Sequence, residues 1–161
     1  MKRMEHQEDM TFDVSPYLKL FIDRDGRWFQ NGKEIIHTGI YRLFNSLLEK
    51  TDDGGYQVRK GKEICRVEVE DAPFVVTGLE EEPGDGLSIN LNDGSREHLD
   101  PEHLWIGQEN IPYCMIKDRE FRARFSRPAY YQLAEHVMEE NGEFFLVIQD
   151  KRFPVKTKKA N

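Results

Sequence analysis

Two stretches decide the fold: Ile40-Tyr41-Arg42-Leu43-Phe44-Asn45-Ser46-Leu47-Leu48-Glu49 and Tyr130-Tyr131-Gln132-Leu133-Ala134-Glu135-His136-Val137-Met138-Glu139. Their apolar residues stand in one register. Ile40, Leu43, Phe44, Leu47 and Leu48 answer Tyr130, Leu133, Ala134, Val137 and Met138 at a constant offset of 90. An α-helix turns about every 3.6 residues, so positions i, i+3, i+4, i+7 and i+8 share one face. Each stretch predicts an amphipathic helix with one buried side. Thr38 is the expected cap of the first helix and Ser126 of the second, with Pro128 tolerated in the first turn. Asp52-Asp53-Gly54-Gly55 and Asn141-Gly142 are the expected helix exits, where glycine permits a left-handed backbone.

The flanks match as well. Before the first helix, Leu18 to Ile22 reads as a strand, Asp23-Arg24-Asp25-Gly26 as a turn and Trp28-Phe29 as the returning strand. Asn31-Gly32 is a strong hairpin signal, and Lys33 to Ile36 completes a third strand. After that helix come Tyr56 to Arg59, a Lys60-Gly61-Lys62 turn and Ile64 to Glu70, where Cys65, Val67 and Val69 alternate with Arg66, Glu68 and Glu70. Phe74 to Leu79 and Leu87 to Leu91 are two further strands. Around the second helix, Tyr113 to Lys117 and Glu120 to Phe125 flank a tight turn, and Glu143 to Ile148 and Arg152 to Val155 form the next hairpin. A duplicated hairpin–helix–hairpin unit accounts for the pattern. The expected fold is α+β: two tandem repeated units, each a small antiparallel sheet with one packed helix. The expected limits are a flexible tail at 1–16, an N-terminal α+β unit at 17–100, a C-terminal unit at 101–155 and a basic tail at 156–161.

The chain has 161 residues, 33% of them charged, 38% hydrophobic and 11% aromatic. That length builds a core without staples. No run approaches the ~18 apolar residues of a membrane span, and Met1 to Ser15 lacks an apolar signal core, so a cytoplasmic protein is expected. Net charge −7 argues against broad nucleic-acid binding. Cys65 and Cys114 stand far apart, without CxxC or zinc spacing, and read as two reduced, buried thiols.

Chemistry-bearing motifs are few. His98 and His103 lie among Glu97, Asp100 and Glu102, but their spacing of five, with Pro101 inside, misses the four-residue spacing of helical zinc pairs. Asp23-x-Asp25-Gly26 lacks the remaining ligand positions of a calcium loop. Asp71, beside Pro73-Phe74, reads as a turn residue. There is no GxSxG, P-loop or GxGxxG, so no catalytic residue, metal or cofactor is expected.

Charge is unevenly placed. Residues 63–85 carry eight acids and one base, whereas residues 114–127 carry five bases and two acids. Strand alternation puts Arg122 and Arg124 on one face, and Arg127 follows at the helix start. Three guanidinium groups there suit a small anionic ligand or an acidic protein segment. A salt-bridge network with the acids of 63–85 is the competing reading.

The order of these motifs resembles a bacterial family of uncharacterised proteins, the domain-of-unknown-function family 1285. The resemblance rests on Ile22-Asp23-Arg24-Asp25-Gly26-Arg27-Trp28-Phe29, Leu43-Phe44 and Val67-Glu68-Val69-Glu70-Asp71-Ala72-Pro73-Phe74. In the second half it rests on Pro112-Tyr113, Ala123-Arg124-Phe125-Ser126-Arg127 and Tyr130-Tyr131-Gln132-Leu133. It spans nearly all of Leu18 to Phe153. It implies two related α+β units in tandem, no established activity, and a suggested role in signalling or ligand sensing. Lys60-Gly61-Lys62-Glu63 departs from an expected Thr-Pro turn, and Gln149-Asp150 from a Trp-Ser pair. The functional expectation is a non-catalytic sensing or interaction module. The alternative is a small-molecule-binding protein with a pocket between the units, lined by Trp28, Tyr113 and Tyr131.

Overall fold

The computed structural model describes residues 17–84 and 86–158. The expected tail at 1–16 and the last part of the basic tail, 159–161, lie outside the described residues. Internal contacts divide the chain into Met1–Asp71 and Ala72–Asn161. Both units are α+β, each with one α-helix among the described residues.

Unit 1 runs β1 (Leu20–Ile22), β2 (Trp28–Gln30), β3 (Lys33–Glu34), α1 (Thr38–Leu47), β4 (Leu48–Lys50), β5 (Tyr56–Lys60) and β6 (Glu63–Val69). Its six strands form one sheet in the order β3-β2-β1-β6-β5-β4. Neighbours are antiparallel except β1 and β6, which pair in parallel with Leu20 beside Val67 and Ile22 beside Val69. The β2–β3 hairpin turns at Asn31 and Gly32 with φ of 51° and 85°, the mirror-image turn whose twist matches its strands. In the β1–β2 turn, Asp23 Oδ1 accepts from the backbone N–H of Asp25 (3.0 Å) and Arg27 (2.8 Å), and Arg27 Nε donates to Oδ2 at 2.7 Å. That carboxylate is therefore a turn organiser.

Trp28 lies at the centre of this unit's core, with no exposed surface. Its indole stacks on Phe44 at 5.2 Å between centroids and 7° between planes. Its Nε1–H donates to Asn45 Oδ1 at 2.9 Å, and Asn45 Nδ2 donates to the Tyr41 carbonyl at 3.0 Å. The one polar edge of a buried indole is thereby satisfied. Val58, Cys65 and Val67 close the core beneath it.

Unit 2 runs β7 (Phe74–Glu82), β8 (Gly86–Leu91), β9 (Arg96–His98), β10 (Leu104–Ile106), β11 (Pro112–Ile116), β12 (Phe121–Phe125), α2 (Arg127–Ala134), β13 (Val137–Glu140), β14 (Glu143–Ile148), β15 (Lys151–Pro154) and β16 (Lys156–Thr157). Seven strands form a sheet in the order β16-β10-β11-β12-β7-β8-β9, and β13-β14-β15 form a separate meander. β12 pairs in parallel with β7, and β10 with β16. Each unit thus contains strand–strand–helix–strand–strand–strand: β2-β3-α1-β4-β5-β6 and β11-β12-α2-β13-β14-β15. The repeat read from the sequence corresponds to these two sheet-plus-helix units.

Five details differ from the expectations. The expected boundary at 100/101 falls instead at 71/72, because β7, β8 and β9 hydrogen-bond into the sheet of β10 to β12. The sheets are mixed, since each large one contains a parallel pair. The helices are shorter than their apolar periodicity. Leu48 turns extended (φ −67°, ψ 136°) and pairs with Val58, while Val137 and Met138 pair with Leu146 and Phe145. The expected glycine exits are hairpin turns between strands, and neither helix ends on them. Finally, His37 rather than Thr38 caps α1: its Nδ1 accepts from the Ile40 N–H at 3.2 Å.

Candidate functional site

α2 is held on the seven-stranded sheet from both ends of its first two turns. Ser126 caps it, its Oγ accepting from the Ala129 N–H at 3.4 Å, and the Ser126 N–H donates to the Val76 carbonyl at 2.9 Å. Gln132 Oε1 accepts from the Leu79 N–H at 2.8 Å, just past the irregularity in β7 between Val76 and Gly78. These bonds press Ala129 and Leu133, both buried, onto the core face of the sheet. Tyr130 is left on the flank, 37% exposed.

The meander β13-β14-β15 does not join that sheet, and an apolar cavity of about 320 Å³ opens in unit 2. β10 lines it with Leu104 and Ile106, β11 with Pro112, and α2 with Tyr130, Leu133 and Ala134. Val137, Phe144 and Val155 line it from the meander and the strand that follows. Asn110 completes the lining, which contains no charged residue. Asn110 belongs to the loop joining β10 to β11, closed by the Gly107 N–H donating to the Ile111 carbonyl at 2.7 Å. Within it Glu109 and Asn110 both take left-handed backbone angles, φ 59° and 60°. Tyr130 and Phe144, 37% and 46% exposed, are large apolar side chains whose exposure the cavity mouth explains.

Two other hollows are less suited to a ligand. A groove of about 490 Å³ in unit 1 mixes Lys33, Glu34 and His37 with isoleucines, and its Ile36 is 83% exposed. In the hollow around Glu97, Asp100, Asp118 and Arg119, three of the four charged side chains are already engaged. Asp100 Oδ2 lies 2.8 Å from His103 Nδ1 and 3.5 Å from Arg119 Nε, and Glu97 accepts from the Lys117 N–H at 3.1 Å. Among the described residues, no group of three His, Cys, Asp or Glu could hold a metal. Cys65 and Cys114 are buried free thiols. Burial pushes both thiol pKa values up, and at Cys114 the negative charges of Glu97 and Asp100 push further the same way.

The residues singled out in the sequence fall apart into different environments. Trp28 is core in unit 1 and lines none of these three hollows. Tyr113, in unit 2, lies on the sheet face opposite Pro112 and Cys114, stacked on Trp105 at 5.7 Å, with Lys158 Nζ 4.3 Å above Trp105. Tyr131 is 58% exposed and packs on Tyr130 at 5.5 Å. The cavity takes the neighbouring tyrosine, Tyr130. Arg122 and Arg124 alternate with buried Ala123 and Phe125, opposite Met115 and Tyr113, and both are already engaged in interactions. Arg127 is the exposed first residue of α2.

Residues 7–72 match the family model of the N-terminal domain of DUF1285, a domain of unknown function. The solved structure of a DUF1285 family protein from Silicibacter pomeroyi DSS-3 is similar over 90% of this chain and 82% of its own, with TM-score 0.69 and 23% identity. A second, from Shewanella baltica OS155, is similar over 75% of this chain and 94% of its own, with TM-score 0.63 and 25% identity. The N-terminal part of this chain is thus similar in sequence to the DUF1285 N-terminal domain, and its fold is similar to those of two DUF1285 family proteins. No curated protein matches it. No helix among the described residues is long and apolar enough to cross a membrane.

Proposed function

We propose that this protein is a member of the DUF1285 family and a non-catalytic small-molecule-binding protein whose ligand occupies the cavity of unit 2. The observation that carries the reading is the uncharged apolar lining of that cavity at about 320 Å³, the lower end of the range in which ligand pockets fall. A dry cavity of about half that volume accepts benzene, so filling this one releases unfavourable void surface. The nearby groups fit binding better than reaction: the thiol of Cys114 is held neutral, and the carboxylates of Glu97 and Asp100 are committed to partners. The pocket sits within one unit, so it differs in place from the inter-unit pocket expected from sequence. A sensing role is compatible with this reading, because a ligand binding only the folded state stabilises it by mass action.

The test is a titration of the isotope-labelled full chain with indole, followed by amide resonances. Saturable shifts clustered at Leu133, Ala134, Val137 and Phe144 are expected, and Ala134→Trp, which fills the cavity, should abolish them. Unsaturable shifts scattered over the surface, or shifts that survive in Ala134→Trp, would sink the proposal.

A further inference from the structure

The lining dictates more than the presence of a ligand. We infer that the cavity takes an uncharged amphiphile, with an apolar body against Leu133 and Pro112 and a single hydroxyl or carbonyl at the mouth between Asn110 and Tyr130. This rests on the proposed ligand-binding role of the same cavity.

Charge is the first constraint. A carboxylate or ammonium group buried without a partner loses solvation it cannot recover, and this lining offers no opposite charge. The small anion expected from the arginines therefore does not suit this site. Size is the second. A cavity about twice the volume that accepts benzene holds a body of roughly ten to twelve non-hydrogen atoms, such as a phenyl ring with a short alkyl arm.

Polarity at the mouth is the third. The lining holds two side chains with hydrogen-bonding capacity, the Asn110 amide and the Tyr130 hydroxyl. Neither makes a protein hydrogen bond among the described residues, in a unit where Asn90, Asn92 and Gln132 all do. An amide offers both donor and acceptor, and a phenol offers the same, so the pair suits a neutral hydroxyl or carbonyl. The backbone holds Asn110 there at some strain: Glu109 beside it has φ 59°, a conformation that side chains other than glycine, asparagine and aspartate rarely take. Strain of this kind collects where geometry at a ligand clamp must be fixed.

Four probes with one body separate the claims: 4-phenylbutan-1-ol, 4-phenylbutyrate, 4-phenylbutylammonium and butylbenzene, each titrated into the labelled full chain. The alcohol should bind at the cavity at least about tenfold more tightly than either ion. Asn110→Ala with Tyr130→Phe should lower the alcohol's affinity to that of butylbenzene and leave butylbenzene unchanged. If butylbenzene and the alcohol bind but the ions bind equally well, the cavity is a ligand site and the neutral-amphiphile inference is overturned. Tighter binding of an ion overturns it too. If no probe shifts the cavity resonances, the ligand-binding reading itself fails and takes this inference with it.

Discussion

Replacing Trp28 with phenylalanine separates a core residue from a pocket residue. In the structure the indole has no exposed surface, stacks on Phe44 and donates its one N–H to Asn45, which is itself 4% exposed. Trp28→Phe removes that donor and strands the Asn45 Oδ1 in the core, at a cost of about 1–3 kcal/mol. The smaller ring also leaves a partial void, which adds roughly 1 kcal/mol. The sum, about 2–4 kcal/mol, is a large part of the ~5–15 kcal/mol that holds a domain together. With a urea slope of about 1–3 kcal/mol per molar, the unfolding midpoint should fall by roughly 1–2 M. Far-UV circular dichroism is the suitable readout, because changing one of only two tryptophans alters the fluorescence itself. The hydrogen bond is isolated by a cycle with Asn45→Leu. Each single variant strands a buried partner, and the double variant strands neither, so the double should be less damaged than the sum by about 1–2 kcal/mol. A Trp28→Phe effect below about 0.5 kcal/mol, or strict additivity in the cycle, would refute the reasoning.

Other consequences are as direct. Gln132→Ala removes the acceptor that α2 offers to the Leu79 N–H and should destabilise unit 2 by about 1–2 kcal/mol in urea unfolding, whereas Gln132→Glu, which keeps an acceptor oxygen, should lose less. Gly107→Ala places a Cβ 2.7 Å from Tyr113 Cε1 and should destabilise by roughly 1–3 kcal/mol, with Tyr113→Ala in the same chain recovering part of the loss. Native protein should resist thiol-labelling reagents at both cysteines, and its Tm should not move with reductant or chelator; rapid labelling of Cys114 would contradict its burial. The Asp93 carboxyl is opposed by burial, yet hydrogen bonds from Ser95 and the charge of Lys117, 3.0 Å away, hold it below the ordinary carboxylate range. Its contribution is therefore complete above about pH 4 and lost as pH falls through the depressed value, so Asp93→Asn should show a shallower acid loss of stability below about pH 4.

The fold was legible where local signals act alone. Asn31-Gly32 made a hairpin because its left-handed angles suit that turn, and Ser126 capped α2 because its hydroxyl reaches the Ala129 N–H. Reading failed where two periods overlap. Leu47-Leu48 and Val137-Met138 continue the helical stripe on paper, but strand pairing with Val58 and Leu146 claims Leu48 and Val137. Asn141-Gly142 held the clue, since that pair favours a hairpin turn more strongly than a helix exit, and a strand must precede it. The domain boundary failed for a different reason. Val75 and Val76 are buried in β7, whose parallel partner β12 lies about fifty residues away, and nothing local names that partner.

The site was less legible than the fold, and the repeat explains why. Both units place a helix before a three-stranded meander, and in sequence the two look alike. In unit 1 the meander joins the main sheet through the parallel pairing of β1 with β6, so that Trp28 and Phe44 fill the core it encloses. In unit 2, β12 pairs in parallel with β7, and the meander stands as a separate sheet. In unit 2 a cavity opens between Leu104, Leu133 and Phe144. No single residue of that lining is unusual for a core, so inspection of residue types could not distinguish a filled space from an open one. Pairing decides it, and pairing over this distance is settled by the tertiary structure. On this argument the duplicated unit is not two copies of one site. One copy joins its meander to the main sheet and fills its core with Trp28 and Phe44, and the other keeps its meander as a separate sheet beside a cavity of about 320 Å³.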